Sequence, residues 1–162
     1  MTSGTYEAML VSEQKVQFYD CDPMGVVWHG NYLRFMEIAR TELLGKIGYD
    51  FSAIREGDGV DLPIIESSMK YLRPLHAGDD FQVVLLIREC EVRLSFDYFI
   101  GRGETLCCLG NTVQCAVSRR TGELEFAMPE HFAECIRKAS ESEELRVRPY
   151  GCFRGRMVRR RA

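Results

Sequence analysis

Between residues 31 and 48 the apolar positions recur every three or four residues: Tyr32, Phe35, Met36, Ala39, Leu43 and Ile47. That spacing follows one face of an α-helix and predicts a helix over "NYLRFMEIARTELLGKIG". Asn31 suits its N-cap and Gly48 its C-terminal stop. From residue 61 the period changes to two. "DLPIIESSMKYL" reads as a strand ending at Pro74, and "FQVVLLIREC" puts Phe81, Val83, Leu85 and Ile87 on one face. "VRLSFDYFI" places Val92, Leu94, Phe96, Tyr98 and Ile100 on one side, with Arg93, Ser95 and Asp97 on the other. "TLCCLGNTVQCAVS" continues the alternation through Cys107, Leu109, Val113, Cys115 and Val117. "HAGDD", "GRGE" and "RRTGE" read as turns between these runs. Residues 9–18 carry a weaker strand signal, and residues 50–60 are turn-rich, with Gly57, Asp58 and Gly59. A shorter helix is expected over 129–140, with Pro129 near its start.

The order is strand, long helix, then about four strands joined by short turns. Short turns imply antiparallel neighbours, and a helix beside one antiparallel sheet is an α+β layer architecture. Wrapping the sheet around the long helix buries the apolar stripe of one against the apolar face of the other. An edge strand or sheet face would stay exposed in a monomer, so a partner subunit is expected.

The chain has 162 residues and a hydrophobic fraction of 46%, enough for one sizeable core and about one domain. No apolar run approaches the roughly 18–20 residues that span a bilayer. "MTSGTYEAML" lacks the basic-then-apolar pattern of a signal peptide, so a cytoplasmic location is expected. The seven cysteines show no CxxC spacing. This argues against a metal site or a disulfide framework and for small buried residues in a reducing compartment. The net charge of −3 hides an asymmetry, because residues 146–162 hold seven arginines and no acid, which leaves residues 1–145 at −10. That body does not resemble a nucleic-acid binder, whose footprint is a basic face. The folded domain is expected over 1–140. Residues 141–162 read as a basic tail with little to bury, and hence as disordered.

One stretch is not explained by patterning. "FYDCDPMGVVWHGNY", residues 18–32, gathers Asp20, Asp22 and His29 just before the long helix. Pro23 biases Asp22 away from helical geometry, and Gly25 offers a position where backbone can turn or approach a ligand. The first N–H groups of a helix lack intrahelical partners and favour negative charge. Such donors can stabilise an oxyanion, and a carboxylate held opposite can attack an acyl carbon or deprotonate water. From these residues alone two readings stand: a turn with a helix cap, or a site that hydrolyses an activated ester without a metal.

"FYDCDPMGVVWHGNYLRFMEIARTELL" resembles the signature of the hotdog-fold acyl-CoA thioesterases of the 4-hydroxybenzoyl-CoA thioesterase family. The shared elements are Asp-x-Asp, a glycine, an aliphatic pair, an aromatic, His, Asn-Tyr and a helix with ExAR. "LPIIESSMKYLRPLHAGDDFQV" resembles the family's strand, Tyr-x-x-Pro and Gly-Asp. The similarity runs from about residue 10 to 135. It implies a hotdog fold, in which an antiparallel sheet wraps a long central helix, and hydrolysis of an acyl-CoA to free acid and CoA with no cofactor beyond the CoA of the substrate.

Carried over position by position, the resemblance makes Asp22 the catalytic nucleophile or general base and Asp20 a supporting residue. It places the backbone N–H of His29 at the thioester carbonyl, with the imidazole in a supporting role. Gly25 matches the loop glycine, and Tyr32 matches an aromatic in or near the pocket. Arg93 and Ser95 match positions of nucleotide contacts, with Arg88 and Arg102 as neighbours. Glu37 and Arg40 of ExAR are expected as a helix-surface or interface ion pair. A homodimer or homotetramer with sites at subunit interfaces follows. The alternatives are a thioesterase that unloads an acyl carrier protein of a lipid or polyketide pathway, and a non-catalytic hotdog module that binds acyl-CoA.

Overall fold

The long helix, α1 (Asn31–Lys46), forms where the 3.6-residue pattern places it, and it buries Tyr32, Phe35, Met36, Ala39, Arg40 and Leu43. The computed structural model describes residues 9–141; the expected basic tail, apart from Glu141, lies outside the described residues. Gly48, at φ 76°, ends the helix. The Tyr49 N–H donates to the Leu44 carbonyl at 2.9 Å and the Gly48 N–H to the Gly45 carbonyl at 3.2 Å, the paired closure that a left-handed glycine allows. The other end differs from expectation. Gly30 is the N-cap and Asn31 the first helical residue, because the Asn31 side chain is drawn back to the Asp20 carbonyl at 2.8 Å.

Five strands make the main sheet: β1 (Met9–Lys15), β3 (Ile64–Tyr71), β4 (Asp80–Glu89), β5 (Leu94–Arg102) and β6 (Thr105–Gln114). Their order is β1-β4-β5-β6-β3, antiparallel throughout. Two-residue strands β2 (Val60–Asp61) and β7 (Val117–Ser118) pair separately. A second helix, α2 (Glu130–Glu141), follows Pro129, whose carbonyl accepts the Phe132 N–H at 3.0 Å. The turn-rich stretch is more ordered than its composition suggests. Ala53–Asp58 forms a π-helix, begun by the Asp50 carboxylate on the Ala53 N–H at 3.0 Å and ended by Gly59 at φ 65°.

"HAGDD" does not join neighbouring strands. β3 and β4 lie three strands apart in the order, since β1 takes the free edge of β4 and β6 takes β3. Val92 is also misplaced by simple alternation. It is 54% exposed in the turn before β5, while Leu94, Phe96, Tyr98 and Ile100 are buried. On β6 the face turned to the helix is Cys108, Gly110, Thr112 and Gln114, opposite Ile100, Tyr98, Phe96 and Leu94. Leu109 and Val113 therefore point outward, the reverse of what their hydrophobicity suggests. The register decides this, because facing residues in an antiparallel pair project from the same side. Gly110 leaves room there for the Met36 thioether, which would have to shift to admit a Cβ.

The helix-facing side of the sheet closes over α1 in a single core running from Leu10 to Ala139. Cys90, Cys107, Cys108, Cys115 and Cys135 are buried and in no disulfide among the described residues, packed as small apolar side chains. No helix among the described residues is long and apolar enough to cross a membrane. At one edge of the sheet β3 is exposed along almost its whole length.

Candidate active site

The stretch before α1 folds as a tight hairpin. The Asp22 N–H donates to the Val26 carbonyl at 2.8 Å, and the Gly25 N–H to the Asp22 carbonyl at 2.9 Å. Cys21 bridges to Val27. Gly25 sits at φ 79° with open space around it. It is the left-handed residue that closes a three-residue hairpin loop, so local backbone geometry accounts for it. The Asp22 carboxylate accepts the Met24 N–H at 2.8 Å and remains partly exposed. The hairpin is held from behind, where the Val27 N–H donates to the Leu75 carbonyl at 2.8 Å and Val26 bridges to His76.

Asp20 is the hub that joins this hairpin to the helix. Its side chain is buried, at 1% exposure. The carboxylate accepts the Gln17 N–H at 2.8 Å and pairs with Arg34 of α1. Its carbonyl accepts the Trp28 N–H at 2.9 Å and the Asn31 side chain. An open cleft on that side is lined by Gln14, Tyr19, Asp20, Arg34 and Ile38, and includes neither Asp22 nor His29. Asp20 thus spends its oxygens on structure, while Asp22 keeps a carboxylate oxygen for other partners.

His29 lies two residues before the first helical residue. Its carbonyl accepts the Tyr71 hydroxyl at 2.9 Å, and among the described residues nothing accepts its N–H. Its imidazole is exposed, with the Trp28 ring 5.0 Å and the Tyr71 ring 6.4 Å away. The Trp28 indole lies across Gly30 and occupies the space a Cβ would need. Tyr32 packs inside the fold, edge-on to Tyr71 at 5.2 Å and Phe35 at 5.9 Å. Burial, with Cys108 close by, pushes its phenol up to about 12. Tyr32 therefore builds the wall behind the site. Tyr71 was not singled out from the sequence as a site residue, although it lies in the Tyr-x-x-Pro element; only the fold shows that its hydroxyl holds the His29 carbonyl.

The expected nucleotide contacts are elsewhere. The Arg93 N–H donates to the Glu89 carboxylate at 3.1 Å, and Ser95 lies on the outer face beside Asn111 at 3.4 Å. Ser95 pairs with Val113, whereas Tyr71 pairs with Cys108. Five residues along β6 separate the two ends, about 16 Å of strand. Within one chain, then, Arg93 and Ser95 do not meet Asp22 and His29. Arg88 pairs with Asp97. Arg102 lies nearer the hairpin, on Asp79 at 2.6 Å, where Asp79 also accepts the His76 N–H at 2.8 Å.

The expected Glu37–Arg40 ion pair of ExAR forms, but its arginine is buried. Arg40 is 4% exposed. It pairs with the exposed Glu37 and donates to the Tyr98 hydroxyl at 3.3 Å, which lies 2.9 Å from the Thr112 hydroxyl. A buried guanidinium needs such partners, and these tie α1 to β5 and β6.

A five-stranded antiparallel sheet wrapped on one long helix is the hotdog architecture. The chain belongs to the Thioesterase-like superfamily, whose family pattern matches residues 16–136. A 1,4-dihydroxy-2-naphthoyl-CoA hydrolase of Thermosynechococcus vestitus is 34% identical over 73 residues, 45% of this chain and 50% of that protein. Among solved structures, a hypothetical protein from Aquifex aeolicus superposes with TM-score 0.69 at 28% identity, covering 78% of this chain and 98% of that one. A 1,4-dihydroxy-2-naphthoyl-CoA thioesterase from Synechocystis gives TM-score 0.72 at 23% identity, over 79% and 95% of the two chains.

Proposed function

We propose that this protein hydrolyses an acyl-CoA thioester to the free acid and CoA, as a cytoplasmic homo-oligomer, with Asp22 as the reacting carboxylate. The observation that carries the reading is the joint placement of Asp22 and His29. One hairpin holds a partly exposed carboxylate, and the N–H of His29, without an acceptor among the described residues, lies just before α1. In the nucleophilic route an Asp22 oxygen attacks the carbonyl carbon, the C–S bond breaks, and CoA leaves as thiolate. Water then opens the resulting anhydride. In the general-base route Asp22 takes a proton from water, the hydroxide adds to the carbonyl directly, and the tetrahedral adduct collapses with cleavage of the C–S bond, expelling CoA as thiolate. In both, the oxyanion forms opposite the His29 N–H and the positive end of the helix. A thioester suits so small a site because its thiolate is a good leaving group and no metal is needed to expel it.

The test is thiol release by the intact protein on a panel of short aliphatic, long aliphatic and aromatic acyl-CoAs, beside the same acyl groups on acyl carrier protein. The reading expects turnover on at least one acyl-CoA class. Faster turnover on the carrier substrates assigns the enzyme to carrier unloading. Tight binding with no thiol released makes the protein a non-catalytic acyl-CoA module.

A further inference from the structure

The Tyr71 hydroxyl reaches from β3 to the His29 carbonyl at 2.9 Å. Met69 Sδ, at 3.5 Å, is the weaker acceptor beside it. Among the described residues no other group donates to that carbonyl. The carbonyl shares its peptide plane with the N–H of Gly30, and the two ends of an amide are coupled by resonance. A donor at the oxygen therefore polarises the N–H at the other end. Neither the Gly30 N–H nor the His29 N–H has an acceptor among the described residues. The next donor, the Asn31 N–H, is taken by the Trp28 carbonyl at 2.9 Å. That bond closes a turn over residues 28–31, in which Gly30 has φ −68° and ψ −24°. A negative φ at the third residue makes this a type I turn, which puts His29 in the helical region. Successive N–H groups of helical backbone point the same way, so the two free donors project to one side of the turn.

We propose that the oxyanion is held by a pair of donors, the N–H groups of His29 and Gly30, and that Tyr71 is the positioning residue that orients and polarises the second. This deepens the thioester reading above and rests on it. Tyr71 is anchored independently of the turn it acts on. It sits in β3 opposite Cys108 of β6, with its ring edge-on to Tyr32 at 5.2 Å. Its hydroxyl thus ties a peptide plane of the chain entering α1 to the sheet and resists rotation of that plane.

The arrangement favours the transition state over the ground state. A thioester carbonyl carries little charge, so the polarised N–H gains little on substrate binding. When the carbonyl oxygen becomes an oxyanion, the whole line from the Tyr71 O–H through the amide to that oxygen strengthens. An interaction realised only there raises kcat and leaves KM alone. Substitution at Gly30 itself is a poor probe, because the Trp28 indole fills the space a Cβ would take and would be displaced as well.

The experiment is Tyr71→Phe, which keeps the ring against Tyr32 and removes only the hydroxyl, with circular dichroism to confirm folding. One oxyanion donor contributes about two to three decades of kcat, and a neighbouring hydrogen bond strengthens it by roughly 10–30%. The expected loss is that fraction of those decades, about two- to eightfold in kcat at unchanged KM. Amide NMR supplies the second readout. In the free protein, Tyr71→Phe moves the Gly30 amide proton upfield and leaves that of His29 in place. The ligand probe is a ketone analogue of the tightest-binding acyl-CoA, with a methylene in place of the thioester sulfur. It moves both amide protons downfield in the wild type, and the Gly30 shift shrinks in Tyr71→Phe. An unchanged kcat, a rise in KM alone, or an analogue that moves the His29 proton and not that of Gly30 overturns the proposal. The amide shifts are read without turnover. A protein that shows them and releases no thiol therefore keeps the Tyr71 arrangement and loses the Asp22 chemistry.

Discussion

Replacing Asp20 by Asn separates the structural carboxylate from the reacting one. Asp20 has a buried carboxylate with two donors, the Gln17 N–H at 2.8 Å and Arg34. A hydrogen bond to a charged group contributes about 1.5–3 kcal/mol. The Arg34 side chain is 47% exposed, so its share is discounted toward the surface value of about 0–1 kcal/mol. Asparagine retains one acceptor oxygen, but its amide must then face the other donor. The net cost expected is about 1–3 kcal/mol, a fall in Tm of roughly 3–10 °C for a chain of this size. Because the Asp20 carbonyl also fixes Trp28 and Asn31, the loosened hairpin displaces Asp22 and His29. Misplacement near 1 Å costs on the order of a hundredfold in rate, so kcat is expected to drop tenfold or more with little change in KM. The assay is a thermal melt beside thiol-release kinetics. A variant with unchanged Tm and kcat within twofold of wild type refutes the hub. Loss of turnover with no loss of stability moves the chemistry from Asp22 to Asp20.

Two further outcomes test the packing. Burial holds the Tyr32 phenol up to about 12 from 10.0 and the Cys108 thiol up to about 12 from 9.0. Both stay neutral in the fold after an unfolded chain has ionised them, so their contribution is complete below pH 9 and is lost as pH rises toward 12. Urea midpoints should therefore fall across that window, and Tyr32→Phe should flatten the fall; a midpoint constant to pH 11 contradicts the burial. Gly110→Ala drives a Cβ into the Met36 thioether, with an expected cost of about 1–3 kcal/mol. Paired with Met36→Ala, the two changes should cost at least about 0.5 kcal/mol less than their sum, and strict additivity in urea melts would place Gly110 away from the helix.

Residues with one strong local constraint were legible in the sequence. The α1 stripe, the Gly48 stop and the alternation of β4 and β5 follow from period and turn chemistry alone. Pairing was legible where a short turn joins neighbours, as for β5 and β6; which face β6 turns inward was not. Leu109 and Val113 look like core, and only the register of β6 against β5 turns Cys108, Gly110 and Thr112 inward. "HAGDD" looks like a hairpin turn because a crossover and a hairpin can share composition; the difference lies in which strand claims the free edge. At the site, Asp22 and His29 were visible as a cluster, but their division of labour from Asp20 was not. Arg34 supplies that division from a helix turn that reads as ordinary surface, and Tyr71 from a strand 42 residues after His29. The Glu37–Arg40 pair was legible from its i,i+3 spacing, but the burial of the arginine was not, because such a pair normally lies in water and nothing local announces that Tyr98 awaits it.

The central claim is that Asp22 does the chemistry, and Asp22→Asn tests it most directly. The substitution keeps an oxygen for the Met24 N–H and removes the charge, so the fold should be retained. On the best acyl-CoA of the panel, the account expects kcat to fall at least a hundredfold while Tm stays within about 2 °C, less than the shift of roughly 2–4 °C that 1 kcal/mol produces. Turnover near that of the wild type, in a variant that folds normally, would contradict it.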